Sequence, residues 1–260
     1  MNNTALITGA SSGIGAELAR DHAARGGDLV IVARSEDKLN ALKAELEQAH
    51  NINVVVIAAD LAEPDAAHKI FAATEAAGIQ IDILINNAGY GGHGKFYERE
   101  LSREQAMMQV NMISLVNLTH LYLQGMVARD VGKILHIASS AAFMPGPLMA
   151  VYYASKSFVA SFSQAIAQEL ADTQVTSTVL CPGPVATGFI EASDLTDVPA
   201  LEKAASAESV AKCGYEAMLR GDLVKINNPA IAFLLHWIIP LLPRKLVLTM
   251  GQKMMEKRHT

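Results

Sequence analysis

The chain has 260 residues, 51% of them hydrophobic and 18% charged, with a formal net charge of −5. That is enough apolar sequence for one sizeable core, so a single domain over 1–260 is expected. Lys and Arg form no long basic run, which argues against a nucleic-acid partner, and no acidic block suggests a disordered tail. Two cysteines, Cys181 and Cys213, lack C-x-x-C spacing, and the eight histidines are scattered, so neither a disulfide scaffold nor a metal site is expected. The first residues show no basic-then-apolar leader pattern, and a reducing cytoplasm is the expected location.

Ala5-Leu6-Ile7 reads as a first strand, followed by T-G-A-S-S-G-I-G over 8–15 and a helix-forming stretch from Ala16. A strand, a glycine turn and a helix in that order point backbone N–H groups and a positive dipole end at a pyrophosphate. Gly9, Ser11, Ser12, Gly13, Ile14 and Gly15 are the candidate contacts. In this reading Gly13 lets the backbone approach phosphates and Gly15 lets the helix pack closely on the strand. The serine hydroxyls either meet phosphate oxygens or cap the helix. A turn without a ligand is the alternative.

The apolar run Asp28–Ala33 is a second, doubly buried strand, and Arg34 stands at its end. An acid there would accept from a ribose and repel a 2′-phosphate, whereas a guanidinium suits phosphate. NADP(H) is therefore favoured over NAD(H), against the alternative of a solvated strand-end arginine. Leu39, Leu42 and Leu46 share one face of a helix over 35–48, and 53–58 is a third strand. Asp60-Leu61 follows it, where Asp60 either accepts from an adenine amino group or caps the turn before Pro64. A helix over 66–77 leads to a fourth strand over 81–85, which ends in Asn86-Asn87-Ala88-Gly89.

One long helix is expected over 102–126, with Asn111 inside it among apolar neighbours and so in need of a defined partner. The stretch 131–138 holds a fifth strand, with Ser139 at its end. Tyr152 and Lys156 share a face of the helix from 151. A sixth strand over 175–180 runs into Pro182-Gly183-Pro184-Val185-Ala186-Thr187, and a helix over 207–219 precedes a short strand over 223–226. About seven apolar strands alternating with helices predict an α/β, Rossmann-type doubly wound parallel sheet with helices on both faces. In such sheets ligands bind outside the carboxyl ends of the strands, where these motifs converge.

Taken together, T-G-A-S-S-G-I-G, Asp60-Leu61, N-N-A-G over 86–89, Asn111, Ser139, Y-Y-A-S-K over 152–156 and P-G-P-V-A-T over 182–187 resemble the short-chain dehydrogenase/reductase family, of the type called classical. The resemblance covers 8–187. It implies an oxidoreductase interconverting a secondary alcohol and a ketone or related carbonyl, with Asn111, Ser139, Tyr152 and Lys156 as the catalytic set. Tyr152 would exchange the proton, and Lys156 would hold the nicotinamide ribose and stabilise tyrosinate. Ser139 would bond the substrate oxygen, and Asn111 would place a water linking Lys156 to solvent. Asn87, Ala88, Gly89, Pro182, Gly183, Val185 and Thr187 would border the coenzyme, Thr187 holding its carboxamide. Tyr153 and Ser140 are adjacent rivals. Only Tyr152 has the four-residue separation from Lys156, and the family's thirteen-residue interval selects Ser139. The resemblance also implies a homodimer or homotetramer.

Phe143, Met144, Pro145, Leu148, Met149, Phe189 and Ile190 suggest an apolar substrate wall, with 188–222 as a substrate-loop region. The apolar run over 229–243, broken by Pro240, is too short to span a membrane. A C-terminal segment over 229–260 acting as lid or subunit interface is favoured over peripheral membrane contact. Two other functions compete with the oxidoreductase: an epimerase or dehydratase on the same scaffold, and a non-catalytic dinucleotide-binding regulator. The turn spacing opposes the first, and the complete Asn111, Ser139, Tyr152 and Lys156 set opposes the second.

Overall fold

The computed structural model describes residues 3–196, 198 and 204–257. Strands β1 (Thr4–Thr8), β2 (Asp28–Ala33), β3 (Val54–Ala58), β4 (Ile83–Asn86), β5 (Lys133–Ile137) and β6 (Thr176–Leu180) form a parallel sheet. A two-residue pair, β7 (Val185–Ala186) with β8 (Ala205–Ser206), lies outside it, and β9 (Val224–Lys225) completes the sheet in the order β3-β2-β1-β4-β5-β6-β9.

Alternation within β1 shows why its whole run is apolar. Ala5 and Ile7 join the core under α1 (Gly13–Ala24), α2 (Glu36–Ala49) and, from later in the chain, residues 207–220. Leu6 points the other way, with Ile70 of α3 (Ala66–Ala76). A strand between two helical layers has no solvent face to make polar. Each fully buried leucine or isoleucine contributes about 1.5–3 kcal/mol.

The expected long helix over 102–126 is present as an unbroken helical run over 101–128, in which α4 (Leu101–Met108) and α5 (Leu115–Ala128) are continuous through a wider i→i+5 stretch over Gln109–Ser114. The widened stretch carries Asn111, and its buried amide supplies a physical reason for the widening. Asn111 Oδ1 accepts from the Tyr90 N–H at 3.1 Å, while its Nδ2 donates to Tyr90 O at 3.0 Å and to Ser155 Oγ at 3.1 Å. A side chain so fully matched favours the local widening that aims it.

Helix α6 (Ala150–Glu169) covers the sheet beyond α5. The stretch 188–222 divides. Residues 188–195, with the short helix α7 (Phe189–Ala192), border the cleft, whereas α8 (Ala207–Arg220) is not loop but a sheet-covering helix. It buries Val210, Tyr215 and Met218, and the Tyr215 hydroxyl lies 2.6 Å from His22 Nδ1 on α1. Residues 197 and 199–203 of that stretch, and 258–260 of the C-terminal segment, lie outside the described residues. The C-terminal segment folds as α9 (Pro229–Phe233), a wide turn over Leu234–Ile238, a tight turn over Ile239–Leu241 and α10 (Arg244–Met255). Among the described residues no helix is long and apolar enough to cross a membrane.

Candidate active site

Strand order reverses between β1 and β4, and a cavity of about 760 Å³ lies over the carboxyl ends of the central strands. The Thr8 hydroxyl holds the two strand ends in register. It accepts from the Asn87 and Ala88 N–H groups, both at 3.0 Å, while Asn87 Nδ2 donates to Thr8 O at 2.8 Å. Nothing in the glycine pattern singles out this threonine, although it precedes the turn directly.

On this frame Gly9, Ser11, Ser12, Gly13 and Ile14 face the cavity. Gly15 does not; it sits behind them. A Cβ there would lie 2.3 Å from Gly9 O and 2.5 Å from Asn87 Nδ2, so its missing side chain lets α1 start close against the ends of β1 and β4. Gly9 has φ +68, the left-handed region that disfavours a side chain. Ser12 begins α1 without a side-chain cap.

Arg34, Asp60 and Leu61 border the same cavity, as do Asn87, Ala88 and Gly89. Arg34 has no carboxylate partner among the described residues. Asp60 Oδ1 accepts from the Ala62 N–H at 2.9 Å, which makes the turn-capping reading a structural fact, with the carboxylate still on the cavity wall. Pro182, Gly183, Val185 and Thr187 close the far side, and the Thr187 methyl approaches Gly13 across the cleft. A glycine-containing turn at a helix N-terminus, a guanidinium without a carboxylate partner among the described residues and the facing Pro182–Thr187 wall fit an extended dinucleotide.

Tyr152 and Lys156 meet at the cavity floor, one helical turn apart on α6. Lys156 Nζ donates to Ile137 O at 2.9 Å and lies 5.9 Å from the centre of the Tyr152 ring. Burial lowers the Lys156 ammonium to about 8, whereas burial pushes the Tyr152 phenol up to about 12, with Ser139 pulling it back. At neutral pH the phenol holds its proton beside a largely charged amine. Ser139 borders the cavity and its Oγ accepts from the Ala141 N–H at 3.1 Å, at the start of a tight turn over Ser140–Phe143. The adjacent Ser140 also borders the cavity, with its N–H donating to Pro182 O at 2.7 Å. Tyr153 borders it too, packing edge-on against Tyr152 and close over Gly146, and it is Tyr152 that stands one helical turn from Lys156.

Asn111 is not on the cavity wall. It stands behind Gly89, where a Cβ would lie 3.1 Å from Asn111 Oδ1 and 3.2 Å from Lys156 Nζ. The space that a Gly89 side chain would take is thus flanked by the amide and the ammonium.

Opposite the floor the wall is apolar. Tyr90, Met144, Met149, Phe189 and Ile190 contribute to it. Phe143 and Pro145 do not. They border a second cavity of about 490 Å³ with Arg244 and Leu248, because the tight turn after Ser139 faces them away. Leu148 instead holds the glycine loop, its carbonyl accepting from the Gly94 N–H at 2.9 Å. Residues not named individually from the sequence complete the wall: Leu195, inside the expected substrate-loop region, and Ile231, Leu234, Leu235, Met254 and Met255, inside the expected C-terminal lid or interface segment.

This cleft, with a phenol and an ammonium beside a dinucleotide-shaped groove, defines a nucleotide-dependent oxidoreductase fold. The short chain dehydrogenase family model matches residues 3–197. The chain is 32% identical over 254 residues to the very-long-chain 3-oxoacyl-CoA reductase of Macaca fascicularis, spanning 96% of this chain and 78% of that one. It is 35% identical over 191 residues to the 17-beta-hydroxysteroid dehydrogenase type 3 of Homo sapiens, spanning 73% and 61%. A solved short-chain dehydrogenase from Sphingobium yanoikuyae in complex with NADPH superposes with a TM-score of 0.82 at 31% identity, over 89% of this chain and 90% of that one. The chain belongs to the short-chain dehydrogenase family, whose members act on CH–OH and C=O groups with NAD(P).

Proposed function

We propose that this chain is an NADP(H)-dependent oxidoreductase that interconverts a bulky, apolar secondary alcohol and its ketone, with Tyr152 exchanging the proton. The observation that carries the reading is the Tyr152–Lys156 pair, buried at the floor of a cavity whose opposite wall is apolar. When bound, the nicotinamide coenzyme supplies or accepts the hydride at the reacting carbon.

The chain's own groups do the rest. The turn from Gly9 to Gly13 and the N-terminus of α1 would hold the pyrophosphate, Arg34 the 2′-phosphate, and Asp60 the adenine side. Pro182 to Thr187 would border the nicotinamide end. Ser139 would bond the carbonyl oxygen. Tyr152, protonated at neutral pH, would give its proton to that oxygen as negative charge develops, and Lys156 would stabilise the phenolate left behind. A phenol raised to about 12 keeps its proton at neutral pH, as the acid role in reduction requires, and the charged ammonium beside it stabilises the phenolate formed when that proton leaves. Asn111 acts here as a positioning residue, fixing Tyr90 and Ser155 behind Gly89. Cys181 and Cys213 are free thiols. The names of the relatives, an acyl reductase and a steroid dehydrogenase, agree with a large apolar substrate.

The test is Tyr152→Phe, assayed for ketone reduction and for coenzyme binding. Turnover falls by about 10²–10⁴-fold, while the variant still binds NADPH, and binds it more tightly than NADH. Retained turnover overturns the proton role, and equal affinity for the two coenzymes overturns the role of Arg34.

A further inference from the structure

We propose that the outer face of residues 229–255 docks on a lipid bilayer surface bearing anionic headgroups, with the mouth of the cavity turned toward the membrane. The segment has two faces. Inward, Leu235, Ile239, Val247 and Met255 are buried. Outward, Phe233, Trp237 and Leu241 recur at four-residue spacing, Leu241 just past Pro240, and Leu246, Met250 and Met254 repeat at the same spacing on α10. Trp237 is 67% exposed and Leu241 82%, values far from those of a core or a substrate wall. Two side chains belong to both surfaces: Leu234 and Met254 border the cavity and are exposed. The outward stripes therefore begin at the rim of the cavity.

Charge decides what covers them. From Leu223 to Met255 the sequence has no carboxylate but four cations, Lys225, Arg244, Lys245 and Lys253, in a chain of net charge −5. Arg244, Lys245 and Lys253 are exposed and pair with no carboxylate among the described residues. Apolar side chains flanked by long cations match a headgroup layer, where stems lie along acyl chains and charges reach the phosphates. A two-fold contact with a second copy would bring the same patch, and so these same cations, against each other. Pro240 and Pro243 interrupt the helical run, so the segment lies along a surface instead of crossing it.

The inference stands without the catalytic reading. If that reading also holds, an apolar ketone dissolved in the bilayer enters the cavity between the two stripes.

Trp237 is the single tryptophan of the chain, so its emission reports this face alone. The full-length protein is mixed with vesicles of equimolar phosphatidylcholine and phosphatidylglycerol, and separately with phosphatidylcholine alone. The expected result is co-sedimentation with the anionic vesicles, a blue shift of Trp237 emission, quenching by brominated acyl chains, and weakening by salt. The double variant Arg244→Glu/Lys245→Glu should lose affinity for anionic vesicles by at least about tenfold, with ketone turnover in solution unchanged. Leu241→Gln, at the most exposed position, should weaken binding without perturbing the fold. Unshifted emission with the protein left in the supernatant overturns the proposal. So does a blue shift that grows with protein concentration without vesicles while the mass doubles, which would make the occupant a second copy.

Discussion

The two halves of the cleft are built in opposite ways. The coenzyme half is framed largely by backbone, with Arg34 and Asp60 as side chains on its border. The turn after β1 and the ends of β4 and β6 form it, and the Thr8 hydroxyl and the Asn87 amide lace it together. The substrate half consists of side chains from late segments: Leu195 after α7, Leu235 in the wide turn after α9, and Met254 and Met255 at the end of α10. Few polar contacts tie these segments to the body or to one another. The Gly91 N–H donates to Ser193 Oγ at 2.9 Å, His93 Nε2 donates to Met255 O at 2.7 Å, and Lys257 reaches Asp194 at 2.8 Å. A groove defined by backbone accepts one ligand shape, whereas a wall of side chains can be revised without disturbing the sheet.

Adding a single carbon to the backbone half should break this contrast most sharply. Gly15→Ala places a methyl 2.3 Å from Gly9 O, a backbone atom that cannot turn aside. Overpacking of this kind costs about 1–3 kcal/mol, or about 10–100-fold in NADPH affinity. Fluorescence titration should show that loss, with the KM for ketone unchanged. Equal losses for coenzyme and ketone would mean that the halves are not separable.

Acid should act on the sheet beneath both halves. His136 on β5 is fully buried, with its Nδ1 near Asn86 Nδ2 and its Nε2 unpartnered among the described residues. Burial lowers its imidazolium to about 3 from an ordinary 6.5. The unfolded chain therefore binds a proton that the folded chain refuses. Stability contributed by the neutral ring is present above pH 6.5 and is lost as pH falls toward 3, by about 1.4 kcal/mol per unit. Urea midpoints measured between pH 7 and 4 should fall accordingly, and His136→Asn should flatten that slope. An unchanged slope in the variant would assign the acid loss elsewhere.

The same division explains what could be read from the sequence. Coenzyme-side motifs announce themselves because turns need particular residues: Gly9 for its positive φ, Arg34 and Asp60 at strand ends, and Tyr152 with Lys156 at helical spacing. The sheet was legible for the same reason, since strands between two helical layers must be apolar throughout. An apolar wall has no such signature. Phe143 and Leu235 look alike in a sequence, and only the turn that follows Ser139 and the fold of the last segment decide which of them meets the cavity. The widening of the helix at Asn111 was hidden too, because the Tyr90 backbone that binds its amide lies 21 residues away.

On the side-chain half, Leu235→Ala should enlarge the wall and leave the groove intact. The lost contacts are worth about 1–3 kcal/mol of discrimination, so kcat/KM for a bulky ketone should fall by about tenfold while NADPH affinity stays within about twofold. A loss of coenzyme affinity as large as the loss for ketone would show that the wall also shapes the groove.

The smallest effect should come from Lys257→Ala, and it tests what holds the wall closed. Asp194 adopts φ +57, a left-handed turn that a short polar side chain tolerates. That turn presents its carboxylate to Lys257, two residues beyond Met255, and places Leu195 in the wall, so the ion pair joins the two late segments. Asp194 is 69% exposed, and an exposed pair of this kind contributes about 0.2–1 kcal/mol. If apolar packing holds Leu195 and Met255 together, removing the pair should raise the KM for ketone by less than about fivefold, and salt should produce the same change in the wild type. A larger rise would make the pair, not the packing, the fastening of the substrate half, and His93 and Ser193 would then be the next contacts to remove.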